Sequence, residues 1–147
     1  MIQINGMAHV ILTTGDFPRA RAFYGDLLPF LGLQCVIDSP NWYYCVGGRT
    51  AFGVREGAPE HRGMRFDQGR TGLHHACFRA RSREDVDALH AFLVERGAKI
   101  VHGPQEDGFA PGYYSVLFED PDGVRLELNF VPGKGLLAAP GMKVGDT

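Results

Sequence analysis

The residues of this chain whose types and placement point to chemistry are two histidines and a glutamate: His9, His75 and Glu127. Side chains on a β-strand alternate between two faces. In the run Arg125-Leu126-Glu127-Leu128-Asn129-Phe130 the two leucines and Phe130 make an apolar face, so Glu127 points the other way with Arg125 and Asn129. The same alternation turns His9, Ile11 and Thr13 away from Ala8, Val10 and Leu12, and His75, Cys77 and Arg79 away from Ala76 and Phe78. Two imidazoles and a carboxylate facing one cavity are the donor set of a facial triad, which holds a divalent metal and leaves about three positions open for chelating oxygens. A lone inward histidine is more often a hydrogen-bonded core residue. Two of them with an inward glutamate are costly to bury without a common partner.

Other side chains compete for a role. Tyr113 and Ser115 alternate with Tyr114 and Val116, which makes Tyr113 the expected catalytic residue, a proton or hydrogen-bond donor to a bound substrate, with simple packing as the plainer reading. Cys77 shares the His75 face and reads as a small hydrophobe rather than a nucleophile. His74 should point outward, and His61, His90 and His102 read as solvated or capping residues, with His102 and Glu56 kept as additional ligand candidates. Trp42, Tyr43 and Tyr44 lie on one strand, so at least one faces the cavity and can stack on a planar or apolar substrate.

These side chains need elements to hold them. Residues 7–14 read as a strand, Asp16 as a helix cap, and Pro18 as a first-turn residue. Ala20, Phe23, Tyr24, Leu27 and Leu28 form one buried helical face that Pro29 and Gly32 end. Strands follow over 33–38, 42–46 and 50–55, the last two joined at Gly47-Gly48. After a linker over 57–72 the order repeats: a strand from His74 to Ala80, a helix begun by the Ser82-x-x-Asp85 capping pattern with Val86, Leu89 and Leu93 inward, and Gly97 at its end. Strands over 99–101, 113–119 and 124–131 complete it, the last two joined by Asp120-Pro121-Asp122-Gly123. The loop over 103–112 is long enough to serve as a lid. The chain is therefore a duplicated βαβββ pattern, an α+β fold whose modules span about 7–56 and 73–131 in a single domain with a tail over 132–147, where Leu136-Leu137 could dock on a neighbour.

Composition narrows the partners. The chain has 147 residues, and Lys+Arg 15 against Asp+Glu 17 leaves no basic surface for a phosphate backbone, which argues against nucleic acid. Cys35, Cys45 and Cys77 are an odd, widely spaced set, expected to stay reduced. The absence of a basic segment followed by a long apolar run argues against a membrane and for a cytoplasmic location.

The segments His9-Val10-Ile11-Leu12, His75-Ala76-Cys77-Phe78 and Glu119-Asp120-Pro121-Asp122-Gly123-Val124-Arg125-Leu126-Glu127-Leu128, set in duplicated modules, resemble the vicinal oxygen chelate superfamily over about residues 7–131. That superfamily includes glyoxalase I, extradiol ring-cleaving dioxygenases, fosfomycin-resistance thiol transferases, methylmalonyl-CoA epimerase and bleomycin-binding proteins. The resemblance implies a curved, cup-shaped mixed sheet with helices outside, often completed in a homodimer. It also implies His9, His75 and Glu127 as ligands to Fe²⁺, Mn²⁺, Zn²⁺ or Ni²⁺, and a small-molecule substrate chelated through neighbouring oxygens. Glyoxalase I and epimerase relatives usually add a fourth ligand on the last strand of the first module, where this chain has Gly53. That departure fits the three-ligand members better, the ring-cleaving dioxygenases and the fosfomycin-type transferases. The alternative is a protein of the bleomycin-resistance type, which sequesters a small molecule such as an antibiotic without chemistry.

Overall fold

The computed structural model of the chain describes residues 1–133, so the docking expected of Leu136-Leu137 lies outside the described residues. The chain divides into two compact units, Met1–Phe66 and Asp67–Thr147. The first holds β1 (His9–Thr14), α1 (Phe17–Phe30), β2 (Gln34–Ser39), β3 (Trp42–Gly47) and β4 (Thr50–Glu56). The second holds β5 (Ala76–Arg79), α2 (Arg83–Glu95), β6 (Lys99–Glu106), β7 (Tyr114–Glu119) and β8 (Arg125–Phe130). Each unit builds its own four-stranded mixed sheet, in the orders β1-β4-β3-β2 and β5-β8-β7-β6. The first strand pairs parallel to the last, and the other pairs are antiparallel.

In the first unit Asp16 caps α1 by accepting the Arg19 N–H at 3.1 Å. The buried face of α1 is Phe17, Ala20, Tyr24, Leu27 and Leu28, and it lies on Tyr43, Cys45, Phe52 and Val54 of the sheet. Fully burying a leucine or phenylalanine here contributes about 1.5–3 kcal/mol. Tyr24 meets Phe52 with ring centroids 5.6 Å apart. At the rim Arg21 lies over Tyr43 at 4.0 Å and pairs with Asp38 at 2.6 Å. Pro29 does not end the helix as expected. It sits in the last turn, where it forfeits one backbone bond, and the chain leaves the helix at Gly32, whose φ of +83° suits a residue without a Cβ. The β3–β4 turn likewise falls on Gly48-Arg49, with Gly47 still paired to Thr50.

In the second unit Ser82 and Asp85 close a reciprocal capping box, the Ser82 hydroxyl accepting the Asp85 N–H at 3.2 Å and the Asp85 carboxylate accepting the Ser82 N–H at 3.1 Å. Val86, Leu89 and Leu93 pack on Val116, Phe118, Leu126 and Leu128. The turn before β8 is built by Asp120, whose carboxylate accepts the N–H groups of Asp122 and Val124 at 2.9 and 2.8 Å, while Gly123 takes φ +93°. One expectation fails here. The strand expected over 99–101 continues to Glu106, so the proposed lid over 103–112 shrinks to the segment between Glu106 and Tyr114. Gly103-Pro104 suggests a break, but β6 is an edge strand with irregular register, where a proline's missing N–H removes no obligatory ladder bond.

Candidate functional site

The second unit brings its two expected ligands together. Glu127 in β8 lies opposite Cys77 of β5 and Leu117 of β7, so its side chain leaves the helix-packed face, and only 7% of its surface remains exposed. His75, just before β5, places Nε2 3.1 Å from Glu127 Oε2. Tyr113, just before β7, donates its hydroxyl to the other oxygen, Glu127 Oε1. Both carboxylate oxygens are thus engaged from opposite sides. Desolvation first, and then the Glu127 carboxylate, pushes the Tyr113 phenol up, well above its ordinary range, so it is a proton-holding donor at neutral pH. Phe109 packs edge-on to the same ring at 5.3 Å.

Cys77 stands beside this pair. Solvent reaches it, yet the surrounding side chains displace much of its water. That desolvation and the neighbouring Glu127 carboxylate push the thiol up to about 12, which keeps it protonated and a poor nucleophile.

The sequence reading missed His74. Expected to point away, it sits with Nδ1 2.8 Å from Nδ1 of His75, and the Gln68 amide lies 3.1 Å from the His74 carbonyl and against its ring. Strict alternation fails because β5 begins only at Ala76, leaving His74 and His75 on irregular backbone. One of the two Nδ1 atoms must carry the proton. If it is His75, its Nε2 is a bare lone pair facing a carboxylate oxygen, an arrangement that calls for a cation or a proton between them. If it is His74, His75 keeps its proton on Nε2 and donates it to Glu127 in an ordinary hydrogen bond; the first tautomer is the one whose donors fit a divalent metal.

The first unit holds His9, exposed at the start of β1 and opposite Ala51. Its ring meets Tyr44 edge-on with centroids 6.4 Å apart. Gly53 lies opposite Tyr44 and Ile11 on this same face. A Cβ there would stand 2.6 Å from the Tyr43 carbonyl oxygen and 2.8 Å from Tyr44 Cδ2, so Tyr44 occupies the room a fourth ligand would need. Glu56 does not replace it: unbroken register puts Glu56 opposite Thr14, on the other face, and it pairs with Arg62 at 3.5 Å. His102 lies opposite Leu117, across that residue from Glu127, and contacts the Gly103 carbonyl through Nδ1 at 2.8 Å. Among the described residues no three His, Cys, Asp or Glu side chains already gather as a metal-holding group, and His75 and Glu127 are the expected ligands that meet within one unit.

Residues 6–128 match the model of the Glyoxalase/Bleomycin resistance protein/Dioxygenase superfamily. An uncharacterised Bacillus subtilis (strain 168) protein, YqjT, is 27% identical over 127 residues, covering 83% of this chain and 96% of its own. A crystal structure from Bacillus halodurans, provisionally described as a glyoxalase, superposes with TM-score 0.74 at 27% identity, covering 86% of this chain and 96% of that one. A lactoylglutathione lyase from Agrobacterium tumefaciens shares the fold at TM-score 0.63 and 22% identity, covering 86% and 94% of the two chains. With two βαβββ units, parallel first and last strands in each, and a family match over most of its length, the chain belongs to the Glyoxalase/Bleomycin resistance protein/Dioxygenase superfamily.

Proposed function

We propose that this chain is a divalent-metal-dependent enzyme acting on a small molecule chelated through neighbouring oxygens, with His9, His75 and Glu127 as the protein ligands. The observation that carries the reading is the approach of His75 Nε2 to Glu127 Oε2 at 3.1 Å, two basic donors turned to one point. A bound Fe²⁺, Mn²⁺, Zn²⁺ or Ni²⁺ would supply Lewis-acid stabilisation of negative charge on substrate oxygens. The chain's own residues do the rest. Tyr113 keeps its proton and fixes the Glu127 carboxylate, which makes it a positioning donor in preference to an acid. His74 braces the His75 ring through Nδ1 and so selects which nitrogen is free. Tyr44 over Gly53 limits the protein ligands to three and favours ring-cleaving or transferase chemistry over the glyoxalase I type.

His9 belongs to the other unit and joins the set from its own chain or from a second copy in a homodimer. Three free thiols support a reducing, cytoplasmic setting, and no helix among the described residues is long and apolar enough to cross a membrane.

The test is elemental analysis of protein purified without added metal. About one equivalent per chain, lost in His75→Ala and in Glu127→Gln, is expected of a three-ligand site. No metal under any loading condition would overturn the enzyme reading. It would favour sequestration without chemistry, which the half-buried aromatic side chains near His9 also suit.

A further inference from the structure

The first unit carries a row of side chains that the metal proposal does not use. On the face of the sheet turned from α1, register sets Arg55 opposite Trp42 and Gly53 opposite Tyr44, with His9 beyond, opposite Ala51. The Arg55 guanidinium lies 4.9 Å from the Trp42 ring centroid. Trp42 and Tyr44 are 5.9 Å apart, and Tyr44 and His9 6.4 Å. Gly53 has no side chain to lift the Tyr44 ring off the backbone, so the row stays low against the sheet. Two features of it are unspent. Arg55 is exposed and, among the described residues, contacts the indole without a carboxylate partner. The Trp42 Nε1–H is buried with no acceptor among the described residues.

We propose that this face is the substrate platform and that it takes a planar aromatic carboxylate: the ring packs between Trp42 and Tyr44, whose planes are 52° apart, face-on to one and edge-on to the other, the carboxylate meets the Arg55 guanidinium, and the far edge of the ring points toward His9. A guanidinium that is weakly hydrated and already held on an aromatic face presents paired N–H donors matched to a carboxylate. Neighbouring aromatic faces select a flat, polarisable ring over a puckered saturated one. A neutral ring leaves the Arg55 charge unanswered, and a saturated acid offers Trp42 and Tyr44 neither an aromatic face nor an aromatic edge. The proposal deepens the small-molecule reading above and rests on it, but it does not require the metal.

Trp42 is the single tryptophan of the chain, so its emission reports on this face alone. The full-length protein, stripped with EDTA and excited where benzoate does not absorb, is titrated with benzoate, with cyclohexanecarboxylate and with benzyl alcohol. Saturation-transfer NMR on the same samples covers the case in which the indole emission does not respond. Benzoate is expected to bind about tenfold tighter than either control. Arg55→Gln, at an exposed position, should bring benzoate down to the level of benzyl alcohol, and Arg55→Lys should recover part of the loss. Equal affinity for benzoate and cyclohexanecarboxylate, no response to Arg55→Gln, or no benzoate binding by either method overturns the proposal. His75→Ala separates it from the metal reading. Benzoate selectivity retained in His75→Ala shows a platform that works without metal, and benzoate selectivity in an unsubstituted protein that takes up no metal under any loading condition keeps the platform and sinks the metal enzyme. Stoichiometric metal without benzoate selectivity does the reverse.

Discussion

At Glu127 the two carboxylate oxygens have different tasks, one toward His75 and one toward Tyr113, and the substitutions follow from that division. Tyr113→Phe keeps the ring packed on Phe109 but removes a hydrogen bond to a charged acceptor, so we expect a loss of about 1–2 kcal/mol in denaturant unfolding. The phenol also has a pH signature. Its value is raised by folding, so its contribution to stability is level below the ordinary tyrosine range near ~10 and falls as pH rises through and beyond it. In an ultraviolet titration, Tyr113→Phe should delete a phenol from the late, alkaline part of the curve and leave the early part unchanged. Cys77 gives a matching test. In EDTA-treated protein at pH 8, alkylation should reach exposed Cys35 well before Cys77, because the raised Cys77 value leaves little thiolate. Glu127→Gln removes the carboxylate contribution but not the desolvation, so Cys77 should react faster, though still behind Cys35. Mass spectrometry of the peptides reads the order.

Elements explain both what the sequence revealed and what it hid. Alternation assigned the faces of β1, β7 and β8 because those strands keep regular register for most of their length. It failed at His74 because the chain is not yet in a strand there, and it stopped β6 short because Gly103-Pro104 breaks a pattern that an edge strand tolerates. Caps were legible because Asp16, Ser82 and Asp85 act within a turn of their own position. What no local pattern could show is that Tyr44 fills the space over Gly53, a contact set by the β3–β4 register. We expect Gly53→Ala to cost about 1–3 kcal/mol through overpacking, measured as a lower denaturant midpoint at unchanged slope. Adding Tyr44→Ala should restore only part of it, because the Tyr43 carbonyl stays 2.6 Å from the new methyl. Full restoration would place the whole conflict on the ring.

Across the whole molecule the repeat was readable because both halves carry the same order of elements, and the family match spans them both. The proposed ligand set was readable only through the repeat: His9 and His75 occupy equivalent places, the second unit brings His75 to Glu127, and the first sets His9 edge-on to Tyr44. A ligand that joins the set should stabilise the folded chain by mass action, by about 2.7 kcal/mol at a hundredfold excess over its dissociation constant. Divalent metal added to EDTA-treated protein should therefore raise the melting temperature, and His75→Ala should abolish the rise. A melting temperature indifferent to every metal tried would contradict the ligand assignment.

Among the described residues the first strand of each unit to leave the ribosome is hydrogen-bonded only to the last: β1 waits for β4, and β5 for β8. Synthesis at about 5–20 residues per second then imposes a delay of seconds before either histidine-bearing segment has a partner. During that interval the helix and the antiparallel meander can collapse first. A premature stop within β4 or β8 would leave the histidine-bearing segment behind it without a strand to pair with, so the proposed ligands are the last thing each half sets in place.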